Sequence, residues 1–468
     1  MAWSEIDGSL ERDALGAQFR AGALRPTELI RAVFARIRAC PVDGIWINLV
    51  AEEDALAAAA ALEARVEPRL GPDRLPLYGL PFGAKDNIDA AGVPTTAACP
   101  DFAYVPARSA PALAACVEAG AILIGKTNLD QFATGLVGTR SPYGACSSAF
   151  DVRYISGGSS SGSAVAVARG HVSFALGTDT GGSGRIPAGF NDVVGLKPTR
   201  GLVSTTGLVP ACRSLDCVSV FARRATDARA VLHAMRGYDA SNGFSRPDAG
   251  APLGEPWRPA TPFQFGVLAP REREFFGNDE GAAHYAAALE RLSDMGGAPV
   301  EIDFAPFREA GDLLFAGPWI AERYADLGSF IAARPASVLP VTRQIIESGA
   351  RFSAAELFSA EHRLRMLHRQ AQRQLADLAF LVVPTAARPY TLAEVAADPV
   401  ATNTQVGRYS YFVNLLDLCA HAVPNGRLRN GMPTGITLIA PPMRDDTLAS
   451  FASAYQARLD AASGRLGN

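Results

Sequence analysis

The sequence predicts an α/β protein built on one large sheet with helices on both faces. Between Tyr78 and about Val220, short apolar runs of strand length alternate with helical stretches, the βαβ rhythm of a sheet buried on both sides. Strand-like runs then continue on both sides of a Pro-, Gly- and Ser-rich stretch at about 242–263. That continuity favours a surface loop there over an interdomain linker. The chain has 468 residues, 48% hydrophobic and 19% charged, so it is long enough to bury a large core and too apolar to be generally disordered.

The first 70 residues read as a helical segment packed on a core that occupies residues 71–468, within one structural domain. Leu29, Ile30, Val33, Phe34 and Ile37 recur on one helical face, and Pro26-Thr27-Glu28 marks a helix start. Residues 51–66, rich in Ala and Glu, are again helical. Residues 80–84 predict a strand with Lys85 at its C-terminal end, 110–119 a helix and 121–125 a strand. Residues 163–169 open a further helix and 172–177 form a strand. Later strands are expected at 265–269, 299–303, 379–384 and 435–440, with helices at 354–375 and 447–459.

Several function classes are disfavoured at this level. The net charge of −3 gives no bulk attraction to nucleic acid or to an anionic membrane. No apolar run approaches the roughly 20 residues of a membrane span. The first residues carry acids early and no apolar core run, unlike a signal peptide. Seven dispersed cysteines without a paired motif read as free or buried thiols of a reducing cytosol. His362 and His368 do not match helical ligand spacing and no phosphate loop occurs, so neither metal nor cofactor is expected.

Two clusters carry the chemistry: Gly157-Gly158-Ser159-Ser160-Ser161-Gly162-Ser163 and Gly177-Thr178-Asp179-Thr180-Gly181-Gly182-Ser183-Gly184-Arg185. A single Gly/Ser cluster is more often a turn than a site. Amide hydrolysis, however, needs an activated nucleophile and donors for the developing oxyanion. Glycines allow backbone N–H groups to point into one concavity, so Thr180-Gly181-Gly182-Ser183 can supply a hydroxyl and its donors together. No histidine lies in a triad motif and no nucleophile elbow is present. A buried lysine can serve as base instead, and Lys85 ends an apolar run. Spacing alone leaves a surface charge as the simpler reading of Lys85.

These blocks, in this order, closely resemble the amidase signature family. The serines are separated by 183 − 159 = 24 positions, as in that family. The resemblance runs from about residue 8 to 460. It includes Gly125-Lys126-Thr127-Asn128, Gly195-Leu196-Lys197-Pro198-Thr199, Pro384-Thr385 and Gly431-Met432-Pro433-Thr434-Gly435. It implies an α/β/α sandwich with a large twisted mixed sheet and a homodimer. It also implies a triad in which Ser183 is the nucleophile, Ser159, within a cis peptide, relays the proton, and Lys85 is the base. Thr180, Gly181, Gly182 and Ser183 would supply oxyanion donors, Ser160 would hydrogen-bond near Lys85, and Asp179 and Arg185 would pair as scaffold or as functional groups.

A second resemblance, to allophanate hydrolases, rests on 127–136, on Arg213-Ser214-Leu215-Asp216-Cys217, on 316–323 and on 412–418. It implies a small anionic amide as substrate, converted to N-carboxycarbamate and ammonia, with Arg323 holding the carboxylate as a planar fork. Without that resemblance Arg323 reads as a helix-surface residue. Two positions depart from the pattern: Phe315 stands where a Tyr is usual, 323 − 315 = 8 positions before the arginine, and Gly181 stands where Ala is usual. Many members carry a further C-terminal domain acting on the product. The competing readings are an amidase for another small amide, with Phe315 marking the change, and the glutaminase-type subunit of an amidotransferase. A binding protein without activity is disfavoured by the presence of all three triad residues, and a Cys-based nitrilase because Cys146 and Cys217 lie outside a Cys, Glu and Lys motif.

Overall fold

The computed structural model describes residues 9–40 and 44–462. Among these, eleven strands form one sheet: β1 (Trp46–Leu49), β2 (Pro81–Lys85), β3 (Ile122–Thr127), β4 (Phe174–Asp179), β5 (Val194–Lys197), β6 (Cys217–Ala222), β7 (Phe263–Leu268), β8 (Gly297–Ile302), β9 (Phe380–Pro384), β10 (Cys419–Arg427) and β11 (Pro433–Ala440). Their spatial order is β1-β3-β2-β4-β6-β5-β10-β11-β9-β7-β8. The sheet is mixed: β2 runs parallel to β3 and β4, and β7 runs parallel to β8 and β9. The remaining pairs are antiparallel.

Burial on both faces follows from residue alternation. In β9, Phe380 and Val382 enter one apolar cluster while Leu381 and Val383 enter another. The first is closed by Leu448, Phe451 and Tyr455 of the helix Asp445–Ala462. The second is closed by Leu367, Ala371 and Leu375 of the helix Ala354–Leu375 and by Phe307 of the helix Ala305–Asp312. Successive side chains of a strand point to opposite faces, so an uninterrupted apolar run requires cover on both.

Every strand expected from the sequence is present, its ends displaced by at most two residues, and four others, β1, β5, β6 and β10, join them. β1 revises the wholly helical reading of the first 70 residues. It lies between the helices Pro26–Ala39 and Glu52–Arg65 and pairs antiparallel with β3 at the sheet edge. Gly125 makes that pairing possible, since a Cβ there would stand 2.4 Å from Asn48 O. The helix Pro26–Ala39 buries Leu29, Ile30, Val33 and Phe34, the face read from the sequence. The stretch at 242–263 is a loop leading into β7, anchored by buried Leu253 and by Trp257 stacked on Phe451 at 4.8 Å. All seven cysteines are free thiols, six of them buried.

His421 lies in β10 between Leu196 of β5 and Leu438 of β11, and neither ring nitrogen has a partner. Burial therefore drives its pKa down to about 3. A histidine with a depressed folded-state pKa costs nothing above its unfolded value, near 6.5, and destabilises progressively as pH falls below it. Unfolding free energy should drop by about 2 kcal/mol from this residue between pH 6.5 and 5. His421→Leu should flatten that part of a thermal-melt pH series.

Candidate active site

One end of the sheet gathers the residues singled out by sequence. β3 and β4 flank β2 and both run parallel to it, so the C-terminal ends of the three coincide, and antiparallel β6 begins at the same end, with Cys217 opposite Asp179. The loops beyond strand C-termini are where open α/β sheets build sites.

Lys85, the last residue of β2, is fully buried, with Nζ 2.8 Å from Ser159 Oγ and 2.8 Å from Thr178 Oγ1. Burial lowers its pKa to about 7; the carboxylates of Asp130, Asp216 and Asp179 oppose that shift and Arg323 adds to it. Both contacts of the amine are neutral hydroxyls, so nothing at hydrogen-bond distance fixes it in the charged form. The surface-charge reading of Lys85 does not hold. Ser159 follows a cis peptide between Gly158 and Ser159 and precedes the helix Ser161–Ala168. Its carbonyl accepts the Asp130 N–H at 3.1 Å. Ser160 sits near Lys85 without touching it: its hydroxyl donates to Thr178 O at 3.1 Å and accepts the Thr178 N–H at 3.3 Å.

The turn after β4 is wound around Asp179. Its carboxylate accepts the N–H groups of Gly182 (2.9 Å) and Gly184 (3.0 Å) and pairs in a planar fork with Arg185, 2.9 Å on each side. Both side chains are buried. Arg185 also donates to Ser410 O at 3.1 Å and Asn414 Oδ1 at 3.2 Å, and Asn414 Nδ2 returns to Asp179 O at 2.7 Å. The pair is thus scaffold: it fixes the curvature that lifts Ser183 between Gly182 and Gly184. The Gly182 N–H, expected among the oxyanion donors, is engaged by Asp179. Among the described residues, no acceptor meets the N–H groups of Thr180, Gly181 and Ser183. Ser183 is 5% exposed.

Arg323 lies in the helix Ile320–Ala333 and is buried, contrary to its helix-surface reading. Its Nε donates to Ala211 O at 3.1 Å and its Nη1 to Thr134 Oγ1 at 2.6 Å, both neutral acceptors. The ring of Phe315 covers the guanidinium at 5.7 Å and meets Tyr411 edge-on at 5.2 Å. Gly181 packs against the same group: a Cβ there would stand 2.5 Å from Leu314 Cδ2 and 3.3 Å from Tyr411 Cδ1. The two departures from the expected pattern, Gly181 and Phe315, are therefore on one wall. Phe315 and Tyr411 also border a cavity of about 470 Å³ whose lining includes Arg140, Arg308 and Arg408.

Sequence reading missed Thr178, the second contact of Lys85, although it stands beside Asp179 in the same block. It also missed Thr134, Asn414 and Ser410, which hold Arg323 and the turn that carries Ser183 from distant segments. Among the described residues, no group of three or more His, Cys, Asp or Glu side chains could hold a metal ion, and no helix is long and apolar enough to cross a membrane.

The hydrogen-bonded Lys85–Ser159 pair and the glycine turn that carries Ser183 lie at one end of the mixed sheet. The chain belongs to the Amidase family, whose profile matches residues 28–449. It is 43% identical to the urea amidolyase of Saccharomyces cerevisiae over 430 residues, 91% of this chain but only 23% of that protein. It thus spans less than a quarter of that relative's length. The solved structure of Kluyveromyces lactis allophanate hydrolase superposes with a TM-score of 0.87 at 39% identity, covering 96% of this chain and 72% of that one. A glutamyl-tRNA(Gln) amidotransferase subunit from Synechococcus is 32% identical, with 90% of this chain and 91% of that protein covered.

Removing one partner of the Asp179–Arg185 pair leaves a buried charge uncompensated. Arg185→Leu should cost about 3–5 kcal/mol of stability, measurable by denaturant unfolding, where an exposed arginine would cost under about 1 kcal/mol.

Proposed function

We propose that this chain hydrolyses allophanate (urea-1-carboxylate) to N-carboxycarbamate and ammonia through Ser183, Ser159 and Lys85. The observation that carries the reading is the pairing of Lys85, buried 2.8 Å from Ser159, with Arg323, a buried guanidinium that no carboxylate of the described residues hydrogen-bonds. A buried cation whose protein partners are all neutral suits an anionic substrate. The neighbouring cavity is lined by Arg140, Arg308 and Arg408 against one carboxylate, Asp312, a balance that favours the same charge.

In this mechanism neutral Lys85 takes the Ser159 proton as Ser159 takes that of Ser183. Ser183 Oγ attacks the amide carbonyl. The oxyanion is met by the N–H groups of Thr180, Gly181 and Ser183, which cost no reorganisation because the Asp179 clamp already holds the turn. Collapse expels the amine as its nitrogen receives the proton back through Ser159. Water, activated by the same pair, then releases the acid and regenerates Ser183. The substrate is a small amide and the site needs no cofactor for these steps. The reading carries with it a cytoplasmic homodimer, for which the unpaired thiols support the compartment.

Phe315 favours a second reading, an amidase for another small amide, because the hydroxyl expected beside Arg323 is replaced by a bare ring. A glutaminase-type subunit is the weaker alternative, since the 316–323 block that supplies Arg323 resembles allophanate hydrolases.

Ammonia release should be measured with allophanate beside biuret, malonamate, glutamine and an aliphatic amide. Release from allophanate should fall by at least about 10³-fold in Ser183→Ala, and kcat/KM should decline below an acid limb near pH 7, where Lys85 becomes protonated. Turnover of another amide alone would sink the substrate assignment and keep the triad; turnover surviving Ser183→Ala would sink the mechanism. Phe315→Tyr restores a donor beside Arg323 and should lower KM for carboxylate-bearing amides several-fold, by about 1 kcal/mol. The KM of an uncharged amide should stay unchanged.

A further inference from the structure

The motif Arg213-Ser214-Leu215-Asp216-Cys217 has no part in the mechanism above, yet it folds between the nucleophile turn and the helix that carries Arg323. Asp216 is 4% exposed. One carboxylate oxygen accepts the Ala211 N–H at 2.9 Å, and the Cys212 N–H reaches both oxygens, at 3.1 and 3.2 Å. With Leu215 and Asp216 N–H groups donating to Cys212 O at 2.9 Å each, residues 211–216 close into a rigid loop. The other face of the carboxylate accepts the Thr180 hydroxyl at 2.5 Å. On the far side of the loop, Ala211 O receives Arg323 Nε, and Glu322 accepts Ser214 N–H at 2.9 Å and Ser214 Oγ–H at 2.6 Å.

We propose that Asp216 is a positioning residue that couples Arg323 to the N–H donors at Thr180, holding the carboxylate-binding group and the oxyanion turn in one register. The proposal rests on the reading of Ser183 as nucleophile and Arg323 as anion partner. A displacement of Arg323 moves Ala211 and, through the Asp216 carboxylate, the first residue of the donor turn. Asp216 also acts on Lys85 through its charge. The charged groups facing Lys85 are Asp130, Asp216, Asp179 and Arg323. Those facing Asp216 are Arg323 and Lys85, and the Cys212 and Cys217 thiols lie beside it. Burial raises the Asp216 pKa to about 6, so it ionises just below the pH at which the lysine becomes a base.

Asp216→Asn keeps the shape of the side chain and removes its charge. In the full chain it should lower kcat about tenfold or more and move the acid limb of kcat/KM to lower pH, because a carboxylate that favours protonated Lys85 is gone. Thr180→Val should lower kcat without moving the limb. The limb can be read without an amide substrate: a fluorophosphonate labels a lysine-activated serine, and intact mass gives the rate of Ser183 modification against pH. A limb displaced by half a pH unit or more in Asp216→Asn, with a melting temperature near wild type, supports the proposal. An unmoved limb, or wild-type kcat in Asp216→Asn, overturns it while leaving the triad intact. Absence of labelling in the wild-type protein at any pH overturns the serine mechanism and the proposal with it.

Discussion

The site depends on the buried pair of Asp179 and Arg185. Asp179 closes β4, and its carboxylate takes four donors: two backbone N–H groups of the turn that follows and both arms of the guanidinium. A carboxylate bonded in this way stays ionised despite burial, held below the ordinary range by Arg185 and the N–H groups. Because the two N–H groups flank Ser183, the ion pair dictates where the hydroxyl stands. Arg185 extends the constraint to Ser410 and Asn414, more than 200 residues away in sequence, so the turn that carries Ser183 is pinned between β4 and the segment preceding β10.

That arrangement explains the glycines of the turn. Gly182 adopts φ of 137°, and a Cβ on it would lie 2.4 Å from Ser410 Oγ, whose hydroxyl donates to Gly181 O. Gly181 is required by a different contact, the approach of Leu314. One glycine serves the turn, and the other admits the close approach of Leu314, the neighbour of Phe315 in sequence.

Much of this was legible in the sequence. Lys85, Ser159 and Ser183 stand out through the resemblance of their blocks to the amidase signature family, and Asp179 and Arg185 lie six positions apart in the same block. The strands with unbroken apolar runs were equally plain. β10 was not, because Cys419-Ala-His-Ala-Val-Pro-Asn-Gly-Arg427 mixes small, polar and turn-forming residues; its burial comes from being sandwiched between β5 and β11, a tertiary fact. β1 is four residues long and owes its place to Gly125 across the edge. The burial of Arg323 was invisible for a similar reason: Thr134 and Ala211, which receive it, are 189 and 112 positions away. Local pattern shows which residues are chemically unusual, and long-range contacts decide which of them meet.

The charges around Lys85 show how its amine is set near neutrality. Three carboxylates lie close enough to favour its protonated form, yet each is committed elsewhere. Asp130 accepts the N–H groups of Val137, Gly138 and Arg140, Asp179 holds the turn, and Asp216 holds Thr180 and the 211–212 backbone. None hydrogen-bonds the amine, which touches only hydroxyls. Burial therefore wins, but only as far as about 7, because the surrounding acids limit the fall. Arg323 pushes in the same direction as burial. On the proposed reading, a substrate carboxylate seated on Arg323 would cancel that push and make Lys85 a stronger base as the complex forms. A general base works best with a pKa near the operating pH. Here the anion that identifies the substrate would also adjust the base that activates Ser183, so an uncharged amide of the same size would meet a less basic lysine as well as an empty guanidinium.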